Sequence, residues 1–320
     1  MASKPDQGRA GVEYLAIGPE AEGQRLDNFL LARLKGVPKS RIYRLLRKGE
    51  VRVNGGRAKP EYRLAEGDQV RIPPVRRAEE AAPTPRGRAA GQRLEAHILH
   101  EDDRLIVLDK PSGMAVHGGS GLSHGVIEAL RAARPDAPYL ELVHRLDRET
   151  SGCLLVAKRR STLRKLHELL REGRVEKRYL ALVAGQWDRG RVELSDRLRK
   201  IERGGERFVE VGEEGKAAIS VFRPVDLHRV ASLLEIELKT GRTHQIRVQA
   251  AAAGHPLAGD DRYGEREFNR QMKALGLKRL FLHAASIGWT DPDSGEWRGW
   301  SSPLPEDLRE VLARVEGGGG

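Results

Sequence analysis

The run Val143-His144-Arg145-Leu146-Asp147-Arg148-Glu149-Thr150-Ser151-Gly152 places two acids, two arginines, a histidine and two hydroxyls within ten positions. The apolar stretch Cys153-Leu154-Leu155-Val156-Ala157 follows at once. Polar groups crowded against a buried strand are costly unless they pair or act on a ligand. A carboxylate among such neighbours can serve as nucleophile or as proton acceptor. The plainer alternative is a loop held by an Arg–carboxylate pair.

Other chemistries lack their residues. His144-Arg145-Leu146-Asp147 echoes the kinase catalytic loop, but the kinase Asn and Gly-rich loop are missing. No GxxxxGK[ST] occurs, and no GxGxxG follows a strand, so a mononucleotide or dinucleotide site is not expected. His117 and His124 flank glycines without a carboxylate or thiol cluster, so no metal site is expected. The run from His117 to Gly125 reads as a Gly-rich turn before a helix. A single cysteine excludes a disulfide framework. No apolar run approaches the ~20 residues of a membrane span, and the first residues lack the apolar core of a secretory signal. A cytoplasmic protein is expected.

The elements that must position these residues sort by charge. The chain has 320 residues, 57 Lys+Arg and 46 Asp+Glu, for a net charge of +11. Nine of those excess charges lie in residues 1–94, so the remaining two thirds are nearly neutral. Uneven charge marks a separate basic module, and polyanions are its natural partners. Within it, Leu26, Phe29, Leu30 and Leu34 recur at helical spacing. Pro38 opens a second helix in which Ile42, Leu45 and Leu46 form an apolar stripe and Gly49 ends the run. Lys39, Arg41, Arg44, Arg47 and Lys48 cover its other sides, and Arg52 follows in a short strand before an Asn54-Gly55 turn. One cationic face for RNA or DNA is the expectation, in preference to a merely solvated amphipathic helix.

Residues 75–93 read as a mobile tether rich in Ala, Pro and Arg. Beyond them, strands are expected at Leu105–Asp109, Cys153–Ala157, Tyr179–Val183, Val230–Leu238 and Leu280–Ile287. Helices are expected at Val126–Ala132, Thr162–Arg171, Glu267–Leu275 and Glu306–Val315, the second capped by Ser161. Strands follow one another without regular βαβ alternation, so an α+β domain with a largely antiparallel or mixed central sheet is expected.

Two resemblances sharpen this picture. Gly23–Leu34, Lys39–Gly55 and Gly67–Pro73 are similar to the small RNA-binding domain named after ribosomal protein S-four. His144-Arg145-Leu146-Asp147-Arg148-Glu149-Thr150-Ser151-Gly152 resembles the signature of the RluA-type pseudouridine synthases. Lys110–His117, Glu176–Val183, Thr240–Arg247 and Leu282-His283-Ala284 match further segments of that family in order. Together with the segment Gly254–Gln271, they resemble its RluC-like subgroup, which acts on large-subunit (23S) rRNA.

The family resemblance implies a pseudouridine synthase fold and the isomerisation of uridine within RNA. It implies Asp147 as the essential carboxylate, Tyr179 against the target base, and Arg242 as the cation paired with Asp147. It also implies Arg145 in the space vacated by the base or on a flanking phosphate, and Leu282 lining the base pocket. His144, His244 and His283 are expected to be structural and Cys153 inert; Gln249 has no expected role. The expected organisation is a flexible N-terminus (1–22), an RNA-binding domain (23–74), a linker (75–93), a catalytic domain (94–315) and a disordered tail (316–320). Large-subunit rRNA is the expected partner of a monomer, with no metal, small-molecule cofactor or membrane. A tRNA uridine, or RNA binding without catalysis, are the alternatives.

Overall fold

The structure is a computed structural model that describes residues 11–18, 21–34, 36–75, 85–118 and 125–317. The chain divides into two units, Met1–Thr84 and Pro85–Gly320.

In the first unit, strand β1 (Glu13–Ala16) precedes helices α1 (Leu26–Arg33) and α2 (Lys39–Lys48). Strands β2 (Arg52–Val53), β3 (Gly56–Arg57) and β4 (Gln69–Ile72) complete a sheet of order β1-β4-β2-β3. β1 falls inside the segment expected to be flexible; it pairs antiparallel with β4 through Glu13↔Ile72 to Ala16↔Gln69. Four paired residues alternate in burial, a pattern too short to stand out in the sequence. Leu26, Leu30, Leu34, Ile42, Leu45 and Leu46 fill the core, as their spacing predicts. Gly49 closes α2 in the left-handed region (φ 69°), and Asn54 and Gly55 both take positive φ in the tight turn after β2.

The second unit begins with α3 (Pro85–Glu95), then β5 (Ile98–Glu101), β6 (Leu105–Lys110), α4 (Val126–Ala133) and β7 (Glu141–Leu142). β8 (Ser151–Ala157), α5 (Arg160–Arg171), β9 (Glu176–Ala184), β10 (Val192–Arg203) and β11 (Glu206–Val211) follow. The chain continues through β12 (Lys216–Leu227), β13 (Ala231–Leu238), α6 (Gln245–Ala252) and α7 (Arg266–Ala274). It ends with β14 (Leu282–Thr290), β15 (Trp297–Ser301) and α8 (Glu306–Gly317). Nine strands run in the order β11-β10-β12-β13-β9-β14-β8-β6-β5, with β7 on β8 and β15 on β14. The β14–β8 pair is parallel and the others are antiparallel, a mixed sheet as expected.

Three expectations change here. The expected linker over 75–93 overlaps α3, while residues 76–84 lie outside the described residues. A Cβ on Gly91 would stand 2.1 Å from Ala129 O, so α3 meets α4 at a contact only glycine allows. Alanine-rich composition, which reads as tether, serves here to let two helices approach. α8 extends to Gly317, two residues into the expected tail. α5 starts at Arg160 with Arg159 at its N-cap and no side-chain cap, so Ser161 lies inside the helix. Most of the Gly-rich turn, residues 119–124, is also outside the described residues.

Candidate active site

Asp147 lies in the loop between β7 and β8, and the loop is anchored from both ends. Ser151 and Gly152 begin β8, paired in parallel with His283 and Ala284 of β14. Gly152 has φ 106°, and a Cβ there would stand 2.3 Å from Ala284 O. No other residue fits that combination of angle and space. From the other side, Lys110 at the end of β6 is fully buried, and its Nζ donates to Pro111 O, Met114 O and Arg148 O. Ser112 Oγ donates to Glu149 O, and Gly113 N–H donates to Arg148 O. Burial pushes the Lys110 ammonium down to about 7, while the three carbonyls bind its charged form. Lys110 thus ties the segment Pro111–Met114 to the loop bearing Asp147.

A cavity of about 680 Å³ opens over this loop. It is lined by Arg145, Asp147, Tyr179, Arg242 and Leu282, so the structure gathers all five expected site residues. Arg171, Lys177, His144, His244 and Arg247 share its wall. The lining carries five Arg or Lys side chains and one carboxylate, Asp147.

The expected pairing of Arg242 with Asp147 is not what the structure shows. Arg242 is exposed, and its Nε donates to Ala217 O at 3.0 Å. Arg247 supplies the cation: its Nη1 lies 3.8 Å from Asp147 Oδ2. The reason is helical geometry. Arg242 precedes α6 and is exposed, whereas Arg247 sits within its first turn, where every residue is buried. Arg247 is held in turn by a two-pronged pair with Asp260, Nε to Oδ2 and Nη2 to Oδ1, each 2.7 Å. Burial opposes the Arg247 charge, and Asp260 followed by Asp147 outweighs it, so the guanidinium is held above its ordinary value. Asp260 also accepts the Arg262 and Tyr263 backbone N–H groups on Oδ1.

His244 stands at the N-cap of α6 with φ 55°, a strained conformation for a side chain other than glycine. Tyr263 Oη accepts the Val209 N–H and is hydrogen-bonded to His244 Nδ1 at 2.9 Å. His244 Nε2 lies 3.9 Å from Asp147 Oδ2. Burial keeps His244 below the usual imidazole value against the pull of Asp147.

Tyr179 and Lys177 lie on one face of β9, two residues apart, and both are buried. Burial, reinforced by Asp147, raises the Tyr179 phenol above its ordinary value. Leu282, 4% exposed, begins β14 directly across from Ala181. The remaining histidines pack structurally. His144 Nε2 accepts the Leu155 N–H, and burial pushes its ring down to about 4. His283 Nε2 donates to Ser302 O, and its Nδ1 meets Ser151 Oγ. Gln249 Oε1 accepts the Ser220 hydroxyl, and its Nε2 donates to Asp196 Oδ2 and to carbonyls of β10 and β12, so it fastens α6 to the sheet. Burial pushes the Cys153 thiol up to about 12. Asp226, His228 and Glu316 form a grouping with metal-ligand spacing among the described residues, and none lines the cavity.

In the first unit, Lys39, Arg41, Arg44, Arg47, Lys48 and Arg52 are all exposed. Arg52 donates to Gly49 O, and Lys48 stands 4.0 Å from Glu50.

A lone carboxylate among five cations suits chemistry on a polyanion, and the mixed sheet carries it on a glycine-pinned loop. The family model for RNA pseudouridylate synthase matches residues 104–252, and that for the S4 domain matches residues 24–70. The ribosomal large subunit pseudouridine synthase C of Pasteurella multocida (strain Pm70) is 56% identical over 95% of this chain and 94% of its own. That of Escherichia coli (strain K12) is 55% identical over 95% of this chain and 97% of its own. The structure of human RNA pseudouridylate synthase domain containing 4 shares the fold, with a TM-score of 0.59 at 24% identity over 72% of this chain and 97% of that one. The chain belongs to the RNA pseudouridine synthases.

Proposed function

We propose that this enzyme converts uridines of large-subunit (23S) rRNA to pseudouridine, with Asp147 as its essential carboxylate. The relatives named for the large ribosomal subunit match nearly the whole chain, the S4 domain included. The observation that carries the catalytic assignment is the placement of Asp147: the one carboxylate of the cavity, 3.8 Å from Arg247 and 3.9 Å from His244.

The target base must leave its stack to reach such a cavity, at a cost of a few kcal/mol. Arg145 at the rim fills the vacated space or grips a flanking phosphate, and Leu282 and Tyr179 sandwich the base. The bond from N1 to the sugar C1′ breaks, the base turns, and C5 bonds to C1′. The proton of C5 is lost and one is gained at N1. Nothing is oxidised and no group leaves, so neither metal nor small-molecule cofactor is needed. Asp147 either attacks the sugar or assists departure of the base, and then takes the C5 proton. The Arg247 guanidinium beside it offers the opposite charge, with His244 packed on the same side. Arg242, free of Asp147, contacts backbone phosphate. The exposed cations of α2 and Arg52 hold the rRNA. The enzyme works as a monomer in the cytoplasm, where rRNA is available before the subunit is complete.

Mapping pseudouridines in rRNA from a deletion strain tests this directly. Specific large-subunit sites lose the modification, regain it with the wild-type gene, and stay unmodified with Asp147→Asn. Loss confined to tRNA would shift the substrate, and restoration by Asp147→Asn would remove the catalytic assignment.

A further inference from the structure

Lys177 has no use in the chemistry above, yet it is the most deeply placed cation of the cavity after Arg247. The residue is 9% exposed, on the same face of β9 as Tyr179. Among the described residues it forms no ion pair and no side-chain hydrogen bond. Arg247, comparably buried, is neutralised by Asp260; Lys177 has no such carboxylate. His144 lies near it, but its Nε2 accepts a backbone N–H and burial holds the ring neutral, so it supplies no counter-charge. Burial alone pushes the Lys177 ammonium down to about 8, with no opposing carboxylate.

The stem of Lys177 is buried but its Nζ reaches the cavity, an unpaired ammonium whose partner arrives with the substrate. Uridine is neutral in base and sugar. The anion that enters with it is a phosphodiester. The other cations of the cavity either face solvent, as Arg145, Arg171 and Arg242 do, or are committed to Asp147 and Asp260, as Arg247 is. We propose that Lys177 is the interior phosphate receptor of the cavity: its ammonium binds the phosphodiester of the target nucleotide and so sets the depth at which the base meets Tyr179 and Asp147. Lys177 thereby admits a nucleotide within a strand and discriminates against a free nucleoside. This inference rests on the target uridine occupying the cavity.

The test pairs one residue with one phosphate. RNA fragments carry the target uridine with native linkages or with a single uncharged methylphosphonate on its 5′ or its 3′ side. Wild type, Lys177→Met and Lys177→Arg are compared by pseudouridine formation and by equilibrium binding. Lys177→Met is expected to lose on the order of tenfold to hundredfold in kcat/KM, the range of a charge-assisted hydrogen bond. One of the two methylphosphonates costs wild type a similar factor and costs Lys177→Met less than about threefold, because the interaction is already gone. Lys177→Arg recovers most of the loss. The slope of log kcat/KM against log salt falls by about 0.7 for Lys177→Met, as expected for one phosphate contact on a single strand.

The proposal is overturned if Lys177→Met equals wild type, or if its loss multiplies with that of each methylphosphonate. Should Lys177→Met not fold, wild type that tolerates both methylphosphonates overturns it equally. Absence of pseudouridine from the unmodified RNA with wild type would instead count against the assigned function, and the binding measurements still decide the role of Lys177.

Discussion

Replacing Arg247 and Arg242 in turn separates the two arginines that flank the start of α6. In Arg247→Met, Asp147 loses a cation at 3.8 Å. At that distance the attraction is about 4 kcal/mol with an effective dielectric of about 20. Asp147 is partly open to solvent, which reduces the usable share to about 2–3 kcal/mol, a rate loss of about 30- to 150-fold. Arg247→Met also strands the buried Asp260, and breaking such a pair costs about 3–5 kcal/mol of stability. The double variant Arg247→Met/Asp260→Asn separates the two effects. Asn Oδ1 still accepts the Arg262 and Tyr263 N–H groups that Asp260 Oδ1 accepts now. Much of the stability therefore returns while the rate stays low. Arg242→Met, which gives up one bond from an exposed side chain to Ala217 O, folds as wild type and loses about tenfold or less through phosphate contact. The assay is single-turnover pseudouridine formation on an rRNA fragment, with thermal unfolding measured alongside. A double variant with wild-type rate, or an Arg242→Met loss as large as that of the double, would refute the assignment of Arg247 as the partner of Asp147.

Three further outcomes are expected. Gly152→Ala forces a Cβ against Ala284 O at φ 106° and should destabilise the second unit by about 3 kcal/mol or more, seen as a lower Tm and loss of activity together; an unchanged melt contradicts the pinning of the β8–β14 junction. A chain lacking residues 1–84 keeps α3 and its contact with α4, so it should fold, bind rRNA more weakly and show a flatter salt dependence; an unaltered slope removes the first unit from RNA binding. Arg134 foremost, with Lys158, holds the Glu101 carboxyl down to about 2, below its value in the unfolded chain. Its contribution to stability is therefore full above about pH 5 and is lost as pH falls toward 2. Glu101→Gln should flatten the acid side of the stability profile in that window, and an unchanged profile would show the Arg134–Glu101 pair to be without effect.

Much of this architecture is legible in the chain because amphipathic elements announce themselves. Leu163, Leu166, Leu169 and Leu170 mark α5, Ile42, Leu45 and Leu46 mark α2, and the unbroken apolar run from Cys153 marks a strand buried on both faces. α6 is different. Gln245 through Ala250 are buried on every side, so no apolar stripe reveals a helix there, and without the helix the two arginines of Thr240–Arg247 look equivalent. α3 is hidden for a related reason, since small residues that permit close approach resemble those of a flexible tether.

Charge distribution by itself determined that a basic module precedes a nearly neutral domain, and the resemblance of the motif segments to the RNA pseudouridine synthases singled out Asp147, Tyr179 and Leu282. Tertiary structure alone decided which cation serves Asp147, how Lys110 fastens the loop that carries it, and that Lys177 presents an unpaired ammonium to the cavity. The reason is distance. A pattern along the chain records which side chains share a face of one helix or strand, whereas electrostatic pairing depends on separations of about 3–4 Å between elements that are far apart in sequence. Arg247 reaches Asp147 from α6, 100 residues away, and only the tertiary fold brings the two together.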